Sequence, residues 1–164
     1  MKLNIKNAYW LLLSVFAFVL DQWTKQLTTA HFEYREVLPI FALGDGGFNL
    51  TLAHNYGASF SFLADQSGWQ RWLFAGIASV VGVGLVVWLL RLPKSSVLLS
   101  LALALLIGGA FGNLYDRLVH GFVIDFLDVF YGAYHWPAFN IADSAICAGA
   151  ALLLLESFLP SKKA

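Results

Sequence analysis

Four long apolar segments constrain what this 164-residue chain can fold into. They cover residues 8–27, 72–92, 97–115 and 139–159. Each is close to the length of about 20 residues that a helix needs to cross the hydrocarbon core of a membrane. Only 12% of the residues are charged, against roughly a quarter in a soluble domain. The sequence therefore predicts an α-helical integral membrane protein in which residues 1–164 form a single domain with four transmembrane helices.

The distribution of basic residues predicts the orientation of the chain. The formal net charge is zero, which gives no reason to expect a nucleic-acid partner. Basic side chains lie before the first apolar segment, between the second and the third, and after the fourth: Lys2, Lys6, Arg91, Lys94, Lys162 and Lys163. The positive-inside rule then predicts cytoplasmic termini and external loops at 28–71 and 116–138. A cleavable signal peptide is the alternative for the N-terminus, but an uncleaved helix is favoured because no small-residue cleavage site follows.

Both predicted loops have patterns of their own. Residues 37–43 and 48–53 have strand character, and the glycine-rich stretch 44–47 between them is a turn signal. We expect these residues to form a small external β-sheet on the membrane surface. The loop 116–138 contains several aromatic residues, so it is predicted to be an external aromatic loop that dips into the membrane interface.

Small residues in the third and fourth segments indicate close helix packing. Ala104, Gly108 and Gly112 recur at every fourth position, so they lie on one helix face. Packing is sufficient to explain them, and the alternative is that Gly108 leaves room for a substrate. The single cysteine, Cys147, lies in the last apolar segment and is expected to be a small buried thiol.

Polar side chains gather near one end of the apolar segments. They are Asp21, Lys25, Asn113, Arg117, Asn140 and Asp143. Asp21 and Lys25 are four residues apart, so they share a helix face, and an ion pair at the membrane interface is the simplest interpretation. Asn140 is a natural N-cap, which would place Asp143 in the first turn of the last helix. A cluster at one depth indicates a site.

Two carboxylates are the candidates for chemistry. An ionisable side chain at membrane depth, such as Asp143, is a functional-site hypothesis by default. Asp125 lies in the second loop, and if the two approach each other they would share one proton. The anionic carboxylate could then take a proton from water while the neutral one polarises a peptide carbonyl. Two simpler roles stay open, a helix cap for Asp143 and a water-facing loop carboxylate for Asp125. No metal-ligand spacing occurs in the sequence, so no metal or cofactor is expected.

Five stretches of the sequence resemble the bacterial lipoprotein signal peptidases, also called signal peptidase II. They are residues 21–25 (DQWTK), 55–60 (NYGASF), 108–117 (GGAFGNLYDR), 123–126 (VIDF) and 139–144 (FNIADS). Their order and the four apolar segments make the resemblance specific across nearly the whole chain. Ser59 departs from the usual alanine, which is a conservative change in size.

The resemblance implies an intramembrane aspartyl endopeptidase of the bacterial inner membrane. Such enzymes remove signal peptides from diacylglyceryl-modified prolipoproteins, cutting on the N-terminal side of the lipidated cysteine. The family's catalytic residues fall on Asp125 and Asp143. Its supporting residues fall on Asn55, Gly57, Asn113, Arg117, Asn140, Asp21 and Lys25. The resemblance further implies an active site near the periplasmic face, contacts with membrane lipids, inhibition by globomycin-type compounds and a monomeric enzyme.

Two other classes of function are weighed against this one. In a proton-coupled transporter or channel subunit, membrane carboxylates relay protons. The sequence shows no inverted-repeat pattern, however, and the carboxylates are predicted at one surface and not at the midplane. A non-catalytic membrane scaffold is the third class, and it predicts that the polar cluster is dispensable.

Overall fold

The computed structural model describes residues 5–57, 68–93 and 96–159. Lys2, Ser59, Lys94, Lys162 and Lys163, which the sequence analysis used, lie outside these residues. A short 3-10 helix, Ile5–Tyr9, leads into α1, Trp10–His31. The other long helices are α2 (Trp69–Arg91), α3 (Val97–Val119) and α4 (Ile141–Phe158). The strands are β1 (Val37–Leu43), β2 (Gly46–Asn55), β3 (Val123–Tyr131) and β4 (Tyr134–His135).

The four long helices form one bundle around α3. Of the described helices, three (α2, α3 and α4) are long and apolar enough to cross a membrane. The 22-residue α1 is equally long, but it carries the polar residues Asp21, Gln22 and Lys25, which are buried against neighbouring elements. Because α3 packs against α1, α2 and α4, its small residues lie at the closest helix contacts. A Cβ atom at Gly108 would be 2.7 Å from the backbone oxygen of Ser14 in α1.

The packing interpretation of these glycines is confirmed. Gly109 lies directly against the backbone oxygen of Ala142 in α4, and a Cβ at Gly149 would be 2.8 Å from the backbone oxygen of Ala102. Small residues allow this approach because they have little or no side chain to hold the two helix backbones apart. The Cys147 prediction is wrong, since the thiol is exposed on the outer face of α4. In a membrane, lipid would cover that face.

The four strands form an antiparallel sheet in the order β1-β2-β3-β4. The β1–β2 hairpin follows the predicted pattern, and Gly44 adopts a φ of +59° in its turn, where glycine is favoured. Two further strands, β3 and β4, lie in the segment 116–138, for which the sequence predicts an aromatic loop. The sequence does not predict β3, because residues 123–126 are all buried and its apolar residues do not alternate with polar ones. Asp125 therefore lies on a strand and not in a solvated loop.

The sheet lies against one end of the bundle, where α1 ends and α4 begins. Phe139, just before α4, pairs with Leu127 of β3 through N–H···O bonds of 2.8 and 3.0 Å. This bridge brings the start of α4 beside β3. We refer to this end of the bundle as the dyad end, after the two aspartates that meet there, Asp125 and Asp143. The fold class is confirmed: a mostly helical membrane protein with four long helices, three of them apolar enough to cross a membrane, and a small antiparallel sheet.

Candidate active site

Asp125 and Asp143 lie close together at the dyad end although they come from different kinds of element. Asp125 is on β3 with 2% of its surface exposed. Asp143 is in the first turn of α4 and is partly buried. Burial raises the pKa of Asp125 to about 7, and the negative charge of Asp143 adds to the effect. The two carboxylates therefore interact, as the sequence analysis expected, and Asp125 holds its proton far more tightly than a solvated aspartate.

Asn140 connects the two aspartates. As the N-cap of α4, it accepts a hydrogen bond from the backbone N–H of Asp143 with its Oδ1, at 2.9 Å. Its Nδ2 donates to the Oδ1 of Asp125 at 2.7 Å. The same amide lies within hydrogen-bonding distance of the backbone oxygen of Ile124, at 3.2 Å. One fully buried side chain thus begins the helix that carries one carboxylate and orients the other.

Two more asparagines each serve one carboxylate. Asn55, the last residue of β2, donates to the Oδ2 of Asp125 at 3.1 Å. Its own Oδ1 accepts from the backbone N–H of Gly57 at 3.0 Å, which fixes the amide orientation. Asn113 of α3 donates to the Oδ1 of Asp143 at 2.7 Å. Each carboxylate therefore has a neutral donor that orients it without neutralising its charge.

Arg117 is one turn beyond Asn113 on α3. Its guanidinium donates to the backbone oxygens of Asn113 and Gly57, at 3.2 and 3.1 Å. It also lies over the ring of Phe74, with 5.4 Å between the guanidinium carbon and the ring centroid. Arg117 thereby ties the segment after β2 to α3, and its positive charge acts on both aspartates.

Asp21 and Lys25 form a buried ion pair with a third member. The Nζ of Lys25 lies 2.8 Å from a carboxylate oxygen of Asp21 and 2.8 Å from one of Asp116. The exposed fractions of Asp21, Lys25 and Asp116 are 0%, 1% and 0%. The predicted ion pair between Asp21 and Lys25 is therefore present, but it is buried inside the protein and it includes Asp116. Lys25 also donates to the Oδ1 of Asn113 at 3.1 Å, which links it to the carboxylate of Asp143.

Gly108 does not belong to this constellation. It lies more than one turn away from Asn113, at the contact between α3 and α1, where a Cβ would be 2.8 Å from the Cβ of Ala17. The alternative in which Gly108 leaves room for a substrate is therefore not supported.

The comparison with protein families then decides the class of this site. Residues 13–159 match the family described as signal peptidase (SPase) II. The chain belongs to the signal peptidase II family.

Relatives and solved structures agree with the family. The lipoprotein signal peptidase of Acinetobacter baumannii is 51% identical over 157 residues, which cover 96% of this chain and 87% of the relative. That of Vibrio cholerae is 51% identical over 160 residues, covering 94% of this chain and 90% of the relative. A bacterial membrane enzyme solved by the in meso method at 2.3 Å is 28% identical, with a TM-score of 0.80 and coverage of 100% of this chain and 98% of that one. Another, at 1.9 Å, is 26% identical with a TM-score of 0.79, covering 98% of this chain and 99% of that one.

The family match and the relatives confirm the resemblance that the sequence shows to signal peptidase II. This family is one of aspartic peptidases. The chain is an aspartic-type endopeptidase of bacterial lipoprotein processing, embedded in the membrane. Family membership also decides against the transporter and scaffold alternatives.

Two polar residues of the constellation were not singled out from the sequence. Gln22 and Asp116 are both buried at the dyad end. The sequence predicts that Asp116 begins the external loop 116–138, whereas α3 continues to Val119. Continuing the helix by one turn would have shown the signal, since positions 112, 113 and 116 fall on one face.

Proposed function

We propose that Asp125 and Asp143 are the catalytic dyad with which this signal peptidase II cleaves diacylglyceryl-modified prolipoproteins on the N-terminal side of the lipidated cysteine. The observation that carries the proposal is the double contact of Asn140. It caps the helix of Asp143 and binds the carboxylate of Asp125 at 2.7 Å, so the two side chains are held as one unit.

The dyad carries one proton in the resting enzyme. Asp125 is its holder near neutral pH, since burial and the charge of Asp143 raise its pKa to about 7. Asp143 lies at the N-terminal end of α4, where the helix dipole favours an anion, and it accepts a hydrogen bond from Asn113. The pair titrates as a unit, so its apparent pKa values describe both residues together.

Hydrolysis follows from this division of roles. The carboxylate of Asp143 takes a proton from a water molecule, whose oxygen attacks the carbonyl carbon of the residue before the lipidated cysteine. Asp125 gives its proton to the carbonyl oxygen, so a neutral tetrahedral diol forms. When the diol collapses, the C–N bond breaks and a proton passes through the dyad to the amino group of the cysteine. Asn55, Asn113 and Asn140 keep the carboxylates oriented during these transfers.

The membrane supplies the substrate. The outer faces of the helices expose many apolar residues to the lipid. A diacylglyceryl group can therefore reach the dyad end sideways from the membrane. Each buried CH₂ of an acyl chain contributes about 0.8 kcal/mol to binding. We expect an orientation with cytoplasmic termini and the dyad near the periplasmic face, a monomeric enzyme, and binding of globomycin-type inhibitors at the dyad.

Cleavage of a diacylglyceryl-modified prolipoprotein by purified protein tests the dyad. We expect Asp125→Asn and Asp143→Asn each to lower turnover on the order of 1,000-fold or more, because each removes a group that transfers a proton. Asp128→Asn is the matched control. Asp128 is also a buried aspartate of β3 that accepts from an asparagine, but it lies three residues from Asp125.

The dyad assignment is wrong if either folded dyad variant keeps near-normal turnover. It is equally wrong if Asp128→Asn is as inactive as the dyad variants. A prolipoprotein without the diacylglyceryl group, assayed in parallel, tests the substrate class separately. Comparable turnover of both substrates would contradict the requirement for lipid modification.

A further inference from the structure

Two carboxylates and one ammonium group are buried together at the dyad end. Asp21, Lys25 and Asp116, here called the buried triad, carry a net negative charge if all three are ionised. Gln22 supports the two acids, since its Nε2 lies 3.1 Å from the Oδ2 of Asp21 and 2.8 Å from the Oδ1 of Asp116. Taking three charges out of water is costly, and well-packed apolar residues often serve stability equally well or better. The presence of the triad therefore calls for a reason other than stability.

The remaining contacts of the two acids give that reason. The Oδ1 of Asp21 accepts a hydrogen bond from the backbone N–H of Ala142 at 2.8 Å. The Oδ2 of Asp116 accepts one from the backbone N–H of Ile124 at 3.1 Å. Ala142 directly precedes Asp143, and Ile124 directly precedes Asp125. Each acid of the buried triad thus holds the backbone immediately before one aspartate of the dyad.

Lys25 closes the connection between these two backbone contacts. It bonds both acids at 2.8 Å, so a continuous path runs from Ile124 through Asp116, Lys25 and Asp21 to Ala142. The path begins on β3 and ends on α4, but its three side chains belong to α1 and α3. The Leu127–Phe139 bridge and the hydrogen bonds of Asn140 join β3 directly to the start of α4, and the triad adds an attachment through α1 and α3. Each separate attachment further restricts rotation of one element against the other.

The opposite end of the bundle shows that helix packing here does not need buried charge. Towards that end, α1 meets α3 through Ser14, whose Oγ donates to the backbone oxygen of Ala104 at 2.8 Å, and at the middle of α3 through the contact at Gly108. The same two helices therefore pack closely without an ion pair at that end. The charges occur only where backbone next to the dyad is held, among the described residues of this contact.

On the basis of the proposed dyad, we infer that the buried triad, with Gln22, is a positioning device that sets the separation of the carboxylates of Asp125 and Asp143. The separation matters because it determines how strongly the two carboxylates share one proton. A wider gap weakens that sharing and moves both groups away from the scissile bond.

Two substitutions of Asp116 separate this role from the effect of charge. Asp116→Asn and Asp116→Leu remove the same negative charge, but only asparagine keeps an oxygen that can accept from Ile124. The readout is the dependence of kcat on pH, which has an acidic and a basic limb when one proton is shared. Loss of a charge alone moves both limbs in one direction, whereas a wider dyad brings the limbs closer together. We expect the limbs to converge in Asp116→Leu and to keep their wild-type interval in Asp116→Asn.

The size of the effect also differs between the two variants. Asp116→Leu should lower kcat roughly 10- to 100-fold more than Asp116→Asn, with KM little changed, because small displacements of reacting groups are costly.

Other charged groups near the dyad are Lys25 of α1 and Arg117 of α3. His54 of β2 lies next to Asn55, and burial followed by the charge of His120 lowers its pKa. These groups are present in both variants, so they do not account for a difference between them.

Further variants keep the test decisive if Asp116→Leu fails to fold. Gln22→Leu removes the amide between the two acids without changing charge and should give a smaller convergence of the limbs. Ser14→Val at the opposite end is the control for lost helix packing, and it should lower stability with an unchanged interval. Equal intervals in the wild type, Gln22→Leu and every folded Asp116 variant would overturn the positioning role. Active dyad variants, by contrast, would overturn the proposed function itself.

Discussion

The two ends of the helix bundle are held together by different kinds of contact. At the dyad end, charged and amide side chains from α1, α3, β2 and α4 bond to one another and to backbone groups. At the opposite end, the contact consists mainly of apolar side chains, with Leu89, Leu92, Leu103 and Ile107 at its centre. Hydrogen bonds have narrow limits of distance and angle, whereas apolar contacts tolerate many arrangements of similar volume. The difference shows that directional hydrogen bonds are concentrated where the two carboxylates must meet, whereas the opposite end is held mainly by apolar packing.

The largest expected effect comes from changing one buried asparagine at each end. Asn140→Leu removes the donor to Asp125 and the cap of α4, so kcat should fall on the order of 100- to 1,000-fold. Asn7→Leu at the opposite end removes two hydrogen bonds from its Nδ2 to the backbone oxygens of Leu89 and Leu92. It should cost about 1–3 kcal/mol of stability and leave turnover per folded molecule almost unchanged. Turnover and unfolding assays of both variants check this. Equal loss of turnover would break the comparison between the two ends.

The pH dependence of stability should reside at the dyad end. The pKa of Asp125 is raised to about 7 in the folded protein. The folded state therefore binds more protons than the unfolded state between pH values of about 4 and 7, and stability falls as the pH rises through this window. The total change should be on the order of a few kcal/mol. Unfolding midpoints in detergent across this window measure it.

The wild-type and Asp125→Asn proteins differ in the group that causes this trend. The asparagine variant should lose most of the decline in stability, while the control Asp128→Asn should retain it. A wild-type protein that becomes more stable with rising pH through the window would contradict the raised pKa of Asp125.

A glycine-to-alanine substitution in each half of the bundle should have a smaller effect on kcat, and this effect should differ between the two positions. A Cβ at Gly112 would lie 2.7 Å from the Oδ2 of Asp21, whereas one at Gly149 would lie 2.8 Å from the backbone oxygen of Ala102. Both substitutions overpack a helix contact and should destabilise the protein by about 1–3 kcal/mol. Only Gly112→Ala should also lower kcat, because it displaces a member of the buried triad. A comparable drop in kcat for Gly149→Ala would show that packing at either end controls the dyad.

The smallest effect is expected on α2, away from both ends. Gly76 lies in this helix, and a Cβ added there would meet open space. Gly76→Ala should therefore stabilise the protein by about 0.5–1 kcal/mol through helix propensity. Gly44→Ala is the contrasting control, because Gly44 also has open space but a φ of +59°, so alanine there should destabilise. Thermal unfolding of the two variants should give shifts of opposite sign.

The first hairpin and the helices were accessible from the sequence for a physical reason. Residues 48–53 alternate apolar and polar side chains, which is the period of a strand, and the glycines of 44–47 mark the turn. The polar Asn49 and Thr51 are buried, whereas Phe48 and Leu50 are partly exposed. The apolar helices reflect the composition that a membrane requires. Strand β3 lacked any such signal, because both of its faces are covered near Asp125. A strand buried on both faces carries no period from which it could be recognised.

The candidate site was only partly accessible. Asp143 stood out because a carboxylate in an apolar helix is expensive, and Asn140 stood out as its cap. The burial of Lys25 was not apparent from the sequence, because its partner Asp116 lies beyond the predicted end of the third helix. Lys25 and Asp116 are far apart in the sequence, so only the packing of α1 against α3 brings them together.

The sequence by itself indicated the class of solvent, the long helices and the two candidate aspartates, because these depend on local composition and on motifs within short stretches. The tertiary structure decided that Asp125 and Asp143 lie together, that Asn140 connects them, and that Asp21, Lys25 and Asp116 are buried behind them. These properties depend on the angles at which α1, α3, α4 and β3 meet. No local pattern encodes such angles, since they result from the packing of side chains that are distant in the chain.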